Sequence, residues 1–432
     1  MLLRYQFSNF QCFRSQQEFS LIASLGADPA EDLLPMTPLK GTALRAAAIY
    51  GANASGKTTV LRAMHFMARA VENSHRRWKP DRPIPVRPFR SGEDGPSAPS
   101  EFAAEFILGG VRHQYAFSLD GAGVVAESLV VFPNGKKQAW YKRERGKPIA
   151  FGRSLAGDNK TIEGLTRANS LFLSAAAQNN HEALSRVYNW FSSCLSFVSG
   201  DRTSLGLSAR QSLADEERRS EVVELLRVAD LGISDVRVEA PELSESARRT
   251  IQDVARLLDS LLETDEHLLP VLSEMPPSIQ LLHKMGGSLV PFDLSEESNG
   301  TIAYLALLGP ISKVLKDGGV ILVDELDSSV HPVVVAHILR LFKGSKTNPR
   351  GAQLIFNTHD TSLLSRGLLR RDEVWFTEKS REGASQLYPL TDFKPRKEEN
   401  LGSGYLQGRY GAIPFIASET EAEEGTDGEE VR

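Results

Sequence analysis

Cysteine is scarce in this chain, and it has no long apolar run. The 432 residues include two cysteines, Cys12 and Cys194, which is too few for a disulfide framework and gives no metal-ligand spacing. The apolar run 301–311 is well short of the roughly 18 residues that cross a bilayer. The first residues also lack the charged start and the cleavage site of a secretory signal. These absences predict a cytoplasmic protein with no membrane partner.

Most of the chain has no excess of charge of one sign. The formal net charge is −5, but residues 417–432 hold seven acidic side chains and one basic side chain. The rest of the chain is therefore close to neutral, and its surface can still carry a basic patch. We expect the acidic tail to be disordered, because it is polar and of low complexity.

The first motif with a chemical meaning lies between a predicted strand and a predicted helix. The short apolar segment 44–50 is typical of a buried central strand, and 59–71 reads as a helix. The segment between them, GANASGKT, fits the pattern G-x-x-x-x-G-K-[ST] at every fixed position. The pattern predicts an ATP site that is contacted by Gly51, Ala52, Asn53, Ala54, Ser55, Gly56, Lys57, Thr58 and Thr59.

The physical reason for this spacing is phosphate binding. Two glycines let the loop curl so that successive backbone N–H groups point at phosphate oxygens, and the following helix presents its positive end. Lys57 would place a positive charge at the β- and γ-phosphates as a catalytic group. Thr58 would offer its hydroxyl to Mg²⁺.

A second motif supplies the carboxylates that such a site needs. The apolar segment 319–323 ends in Asp324 and Glu325. Asp324 is expected to help hold Mg²⁺, and Glu325 is expected to polarise the attacking water. The structural alternative is a strand that is followed by a solvated acidic turn.

A third strand, predicted over 353–357, leads into Thr358, His359 and Asp360. We predict that His359 contacts the γ-phosphate, because its position follows the carboxylate motif in the chain. For His331, a contact at a helix start and a catalytic role remain equally open.

The three motifs, in this order, resemble an ATP-binding-cassette head. In such heads a Ser-x-Gly element at a helix start is offered across a dimer to the nucleotide of the partner. Here the element precedes the carboxylate motif as Ser298, Asn299 and Gly300, and an ordinary helix cap is the alternative. Asp327 would match the loop that contacts the dimer partner.

Within that superfamily the chain resembles the AAA/ABC-hybrid ATPases of the OLD, RloA and AbiL-like kind, which are relatives of RecF, Rad50 and SMC heads. The resemblance implies ATP-dependent dimers or larger assemblies in a bacterial cytoplasm, frequent anti-phage roles, and a nuclease that is fused or separate. We expect no fused TOPRIM nuclease, because the sequence continues past the head only as the acidic tail. The segments that carry it are 50–59, 297–301, 323–332, 356–360, 371–376 and 408–415.

This resemblance and the pattern of elements predict an α/β fold: a P-loop NTPase with an ABC-type head, in which a mostly parallel sheet is combined with an antiparallel meander and a helical insertion. Strand-like segments at 101–108, 113–119, 124–132 and 138–143 give the meander. The predicted divisions are an N-terminal half of the head (1–199), a helical lobe (200–275), a C-terminal half (276–416) and the tail (417–432).

The leading hypothesis is an ATP-hydrolysing, dimerising switch that controls a separately encoded, nuclease-like effector in anti-phage defence. The alternative is a RecF- or Rad50-like DNA-binding repair ATPase, and a third possibility is an ATP-binding scaffold with little turnover. The basic side chains that would contact DNA phosphates are Arg76, Arg77, Lys79, Arg82, Arg87 and Arg90. A solvated loop explains their presence equally well.

Overall fold

The computed structural model describes most of the chain. The described residues are 1–24, 32–37, 39–80, 82–91, 97–199, 208–210, 213, 216–228, 232–239, 246, 249–250, 253–254, 278–328, 330–365, 367–396 and 398–414. The strands are β1 (Leu2–Ser8), β2 (Gln17–Ser20), β3 (Leu34–Pro35), β4 (Thr42–Ala43), β5 (Ala46–Gly51), β6 (Ser100–Leu108), β7 (Val111–Asp120), β8 (Gly123–Phe132), β9 (Gln138–Glu144), β10 (Ala150–Phe151), β11 (Leu195–Val198), β12 (Ile233–Glu239), β13 (Ser278–Met285), β14 (Ser288–Asp293), β15 (Val320–Val323), β16 (Gln353–Asn357), β17 (Val374–Lys379) and β18 (Ser385–Pro389). Helices with described bounds are α1 (Lys57–Asn73), α2 (Asn159–Leu165), α3 (Phe172–Gln178), α4 (Glu182–Cys194), α5 (Glu216–Val228), α6 (Asn299–Asp317), α7 (Pro332–Lys343), α8 (Ser362–Ser365) and α9 (Leu401–Leu406).

A mostly parallel sheet forms the centre of the molecule. Its strand order is β11-β15-β16-β5-β17-β18, and every neighbouring pair is parallel except β17 and β18. Because the carboxyl ends of parallel strands meet at one edge, the residues after β5, β15 and β16 come together there. This order places β16 between the strand of the glycine-rich loop and the strand that precedes Asp324.

Both faces of the central sheet are buried, which explains the continuous apolar runs of its strands. Successive residues of β5 alternate between two cores. Ala47 and Ile49 pack in the core shared with the antiparallel sheet. Ala46, Ala48 and Tyr50 pack in the core shared with α6 and α7. The sheet is therefore the middle layer of the fold.

The predicted antiparallel meander is confirmed. A second sheet has the order β10-β9-β8-β7-β6-β1-β2, and β6 to β9 pair as consecutive antiparallel neighbours. Helix α1 packs between the two sheets, where the ring of Phe66 contacts those of Phe10 and Phe102 at a tilt of 39° in both pairs. The combination of a parallel sheet and a meander confirms the predicted α/β class.

A buried carboxylate joins the meander to the helical layer. Glu127 of β8 is 1% exposed and accepts hydrogen bonds from Tyr115 Oη at 2.9 Å and Tyr141 Oη at 2.7 Å. It also accepts from the backbone N–H groups of Phe172 (2.6 Å) and Leu173 (3.0 Å) at the start of α3. Arg143 Nη1 lies 3.6 Å from the same carboxylate, so a guanidinium and the positive end of a helix both stabilise this charge inside the core.

The secondary structure differs from the sequence prediction at two strands. The edge strand β11 was not predicted. The charged, amphipathic sequence from 211 to about 269 predicts helix. This prediction is right for Glu216–Val228 and wrong for Ile233–Glu239, which forms β12 and pairs with β13. Ile233 and Val236 are buried in that pairing, so tertiary contacts override the local helical pattern.

The structure bears differently on the other predicted segments. The segments 278–284 and 288–294, which flank Gly286 and Gly287, predict a hairpin, and the antiparallel pair β13 and β14 confirms it. No described helix is long and apolar enough to span a bilayer. Most of the proposed lobe 200–275, and all of the tail 417–432, lie outside the described residues, so the four predicted divisions remain predictions.

Changing Glu127 to Gln should destabilise the protein by about 2–4 kcal/mol, because the amide cannot accept four hydrogen bonds in a buried site. Urea denaturation, followed by circular dichroism, measures this. Glu101→Gln is the matched control, since Glu101 is an exposed residue of the same sheet and should change stability little. Equal stabilities of the two variants would contradict the role assigned to Glu127.

Candidate nucleotide-binding site

The loop after β5 has the geometry that the glycine pattern predicts. Gly51 and Gly56 have φ of +154° and +111°. A Cβ on Gly51 would overlap Thr377 O, and one on Gly56 would lie 3.0 Å from the Phe13 ring. Neither position tolerates a side chain, so the loop is held close to the backbone behind it.

Helix α1 starts directly after this loop without a side-chain cap. Its N-cap residue is Gly56, which has no side chain that could accept from the first backbone N–H groups. Such groups form a site for an anion at the positive end of the helix. The loop and the helix start therefore have the features of a phosphate site.

Lys57 lies across the loop. Its Nζ donates hydrogen bonds to Gly51 O at 2.9 Å and Ala52 O at 3.0 Å. Burial lowers the pKa of the Lys57 ammonium, while the carboxylates of Glu325 and other acids nearby raise it. A phosphate in the loop would compete with the two carbonyl oxygens for this charge.

The hydroxyl of Thr58 and the carboxylate of Asp324 are in direct contact. Thr58 Oγ1 donates to Asp324 Oδ1 at 2.8 Å. Asn357 Nδ2 donates to the same oxygen at 2.6 Å and lies 3.4 Å from Thr58 Oγ1. Asn357 is fully buried, so these groups form one cluster at the carboxyl edge of the sheet, which we call the Asn357 cluster.

Glu325 has an unusual backbone conformation that turns it out of the strand direction. Its φ is +54°, a left-handed value that non-glycine residues rarely adopt. Its backbone N–H donates to Asn357 Oδ1, and its side chain is exposed. The strand end thus directs two adjacent acids differently: Asp324 is buried in the cluster and Glu325 faces solvent.

His359 follows β16 at the same edge. Its backbone N–H donates to Asp327 Oδ2 at 3.0 Å. Burial and the Lys57 ammonium lower the pKa of the His359 imidazole, whereas Asp327 and Glu325 raise it. The net effect lowers the pKa of the imidazole, and a ring N–H can donate a hydrogen bond to an anion.

Ser298 and His331 both cap helices. Ser298 Oγ accepts from Thr301 N at 3.1 Å at the start of α6, and His331 Nδ1 accepts from Val333 N at 3.3 Å at the start of α7. For His331 this is one of the two roles that the sequence left open. Among the described residues, no hydrogen bond joins Ser298, Asn299 or Gly300 to the loop 51–58, so the proposed role of these three residues remains a prediction.

Comparison with known proteins gives a family. The family described as "AAA domain, putative AbiEii toxin, Type IV TA system" matches residues 46–365, well over half of the chain. The protein belongs to this AAA-domain family. The membership confirms the predicted resemblance to AAA- and ABC-type ATPases.

The AAA-domain chain has no significant match among curated proteins. Among solved structures it is similar to the SMC head domain from Thermotoga maritima, with TM-score 0.40, 13% identity, and coverage of 90% of this chain and 98% of that one. It is also similar to the SmcHead bound to the C-winged helix domain of ScpA, with TM-score 0.41, 13% identity, and coverage of 90% and 96%. Similarity of this extent carries no functional conclusion.

The side chains of this AAA-domain protein fit Mg²⁺. The ion prefers oxygen ligands and is usually bound by one or two carboxylates together with substrate phosphates. Thr58 Oγ1 and Asp324 Oδ1 offer such oxygens within 2.8 Å of each other. Within the described residues, no group of three or more His, Cys, Asp or Glu side chains is placed to hold a metal. A metal here would therefore rely on the phosphates of the substrate.

Sequence reasoning missed two residues that shape the site. Asn357 ends the third predicted strand, but no function is assigned to it from the sequence. Its position at a strand end, like those of the glycine-rich loop and Asp324, could have indicated that it belongs to the site. No sequence pattern indicates Thr377 of β17. Its Oγ1 lies 2.6 Å from Ser55 Oγ and supports the loop from the side of β17.

We expect Asn357→Ala to reduce the kcat of ATP hydrolysis by about 10- to 100-fold while ATP affinity changes by less than about threefold. The variant leaves Asp324 and the Glu325 backbone without their shared partner, whereas the phosphate loop is intact. Phosphate release and titration with a fluorescent ATP analogue measure the two quantities. Asn189→Ala, at an exposed position of α4, is the control, and an unchanged kcat in Asn357→Ala would refute the prediction.

Proposed function

We propose that this AAA-domain protein is a Mg²⁺-dependent ATPase that acts as a dimerising switch. The single observation that supports this best is the Asn357 cluster, in which Thr58 of the glycine-rich loop bonds Asp324 directly. A strand followed by a solvated acidic turn would leave Asp324 exposed, yet the residue is 7% exposed. The acid is held toward the loop instead.

In the proposed reaction, the backbone N–H groups of residues 51–58 and the Lys57 ammonium bind the phosphates of ATP. Glu325 orients a water molecule and accepts its proton as the water oxygen bonds to the γ-phosphorus and the bond to the bridging oxygen breaks. His359 donates a hydrogen bond to the γ-phosphate. Mg²⁺, when bound at Thr58 and Asp324, supplies positive charge to the phosphate oxygens.

Steady-state phosphate release tests the proposed activity. We expect turnover that requires Mg²⁺ and is lost in Lys57→Ala and in Glu325→Gln, while Glu325→Gln still binds ATP. Lys346→Ala and Glu382→Gln are matched controls, because both side chains are exposed and distant in the chain from the loop. ATP binding without turnover in the wild type would favour a scaffold, and no binding would remove the proposal.

Dimerisation is proposed because the positive end of α6 can meet an anion beside Ser298, whose hydroxyl caps the helix in this structure by accepting from Thr301 N. The helix would be offered to the ATP of a second copy. Light scattering after size-exclusion chromatography should detect an ATP-dependent dimer in Glu325→Gln, and adding Ser298→Arg should abolish it. A Glu325→Gln protein that binds ATP but stays at one mass would contradict dimerisation.

A place in a bacterial defence or toxin–antitoxin system, beside a separate effector, is the finer part of the proposal. Membership of a family that is associated with a putative AbiEii toxin and a type IV TA system supports it. Co-expression of the neighbouring gene with wild type or Lys57→Ala, under phage challenge, tests it. Equal plating efficiencies with and without this protein would refute the defence role.

DNA binding is a second candidate, favoured by the position of the basic segment 76–90. The basic side chains of this segment are exposed. Its backbone is connected to the start of α1 through Gln11: Gln11 N donates to Arg87 O at 2.8 Å, and Thr59 Oγ1 donates to Gln11 Oε1 at 3.3 Å. Retention on duplex DNA that weakens with salt and disappears when these bases are neutralised would support this candidate.

A further inference from the structure

The last described part of the chain packs against the candidate nucleotide site. We call residues 399–413 the C-terminal segment; it contains α9. The ring of Tyr405 in α9 lies 5.7 Å from the ring of Tyr50 and 5.4 Å from that of Phe376, between ring centroids. A Cβ on Gly402 would overlap Ser365 Oγ of α8. The segment is therefore in close contact with both β5 and the residues that follow His359.

Tyr50 connects the two parts of the site that would respond to a phosphate. It is fully buried and directly precedes Gly51, whose carbonyl oxygen accepts from Lys57. Its Oη donates to Asp360 O at 3.1 Å, one residue after His359. Any shift of Lys57 or His359 toward a phosphate is thus transmitted to groups that Tyr50 contacts.

Tyr405 continues this contact to the surface. Its ring packs on Tyr50, and its Oη donates to Ala412 O at 3.1 Å. Burial raises the pKa of the Tyr405 hydroxyl, and the nearby backbone N–H of Gly51 lowers it. Leu406, next in the chain, is 66% exposed, and Ile413, after Ala412, is 38% exposed. A buried hydroxyl therefore stands between the start of the loop and exposed apolar side chains.

We infer that Tyr405 is a positioning residue that couples the C-terminal segment to the nucleotide site, so that the segment changes its packing when ATP binds. The inference rests on the proposed nucleotide binding. Its physical basis is that a phosphate takes Lys57 Nζ from the carbonyl oxygens of Gly51 and Ala52. The carbonyl groups of Gly51 and Ala52 then change position beside Tyr50 and Tyr405. The hydrogen bond from Tyr405 Oη to Ala412 O transmits this displacement to the exposed end of the C-terminal segment.

Hydrogen exchange with mass spectrometry tests the coupling on the full chain, without nucleotide, with Mg·ADP and with the non-hydrolysable Mg·AMP-PNP. We expect AMP-PNP to change exchange in peptides over 399–413 by about threefold or more. Tyr405→Phe should abolish this change while its affinity for a fluorescent ATP analogue stays near that of the wild type. Wild-type protein that binds AMP-PNP with unchanged exchange over 399–413 would overturn the inference.

Tyr410→Phe is the matched control. It removes a hydroxyl from the same segment, but that hydroxyl bonds Glu399 at 2.5 Å, whereas the Tyr405 hydroxyl is the one beside the backbone N–H of Gly51. It should keep the nucleotide response. Equal loss in both variants would overturn the special role of Tyr405. Tyr50→Phe, which lacks the bond to Asp360, should weaken the response as well. Failure of nucleotide binding itself, seen in the titration, would instead refute the proposed function.

Discussion

The hydrogen bonds of Asn357 hold the carboxyl edge of the central sheet in one arrangement. The side chain is fully buried and comes from the strand between β5 and β15, so it reaches both neighbours. Its amide N–H bonds Asp324 at 2.6 Å, and its oxygen accepts from the Glu325 backbone. A buried amide with these partners cannot shift without leaving a polar group unpaired. The position of Thr58, Asp324 and Glu325 relative to one another follows from this constraint.

The same constraint explains how two adjacent acids acquire different surroundings. On a regular strand their side chains would point to opposite faces of the sheet. The positive φ of Glu325 ends the strand and turns its side chain to solvent, while Asp324 remains inside. A left-handed value at a non-glycine residue costs free energy, and the hydrogen bond from its N–H to Asn357 helps offset that cost.

Local patterns were sufficient to predict most strands and helices around the site. The glycine spacing of the loop, the apolar runs before Asp324 and Asn357, and the turns of the meander all have short-range causes. The role of Asn357 could not be predicted, because it depends on which strands flank β16, and strand order is a property of the whole chain. For Tyr405 the partner Tyr50 lies in the first strand of the central sheet, so no local pattern indicates the contact. β12 was misread as helix because its pairing with β13 outweighs the local preference.

Two helix starts in this protein meet the same electrostatic requirement in different ways. The first N–H groups of α3 donate to the buried carboxylate of Glu127, so the chain itself supplies the anion. The first N–H groups of α1 follow a glycine with no capping side chain. At α6 and α7 the side chains of Ser298 and His331 each accept from a backbone N–H of the first turn. A helix start with an adjacent lysine, and with no acceptor of its own, is best satisfied by an external anion. The glycine at position 56 therefore keeps the start of α1 open for a phosphate.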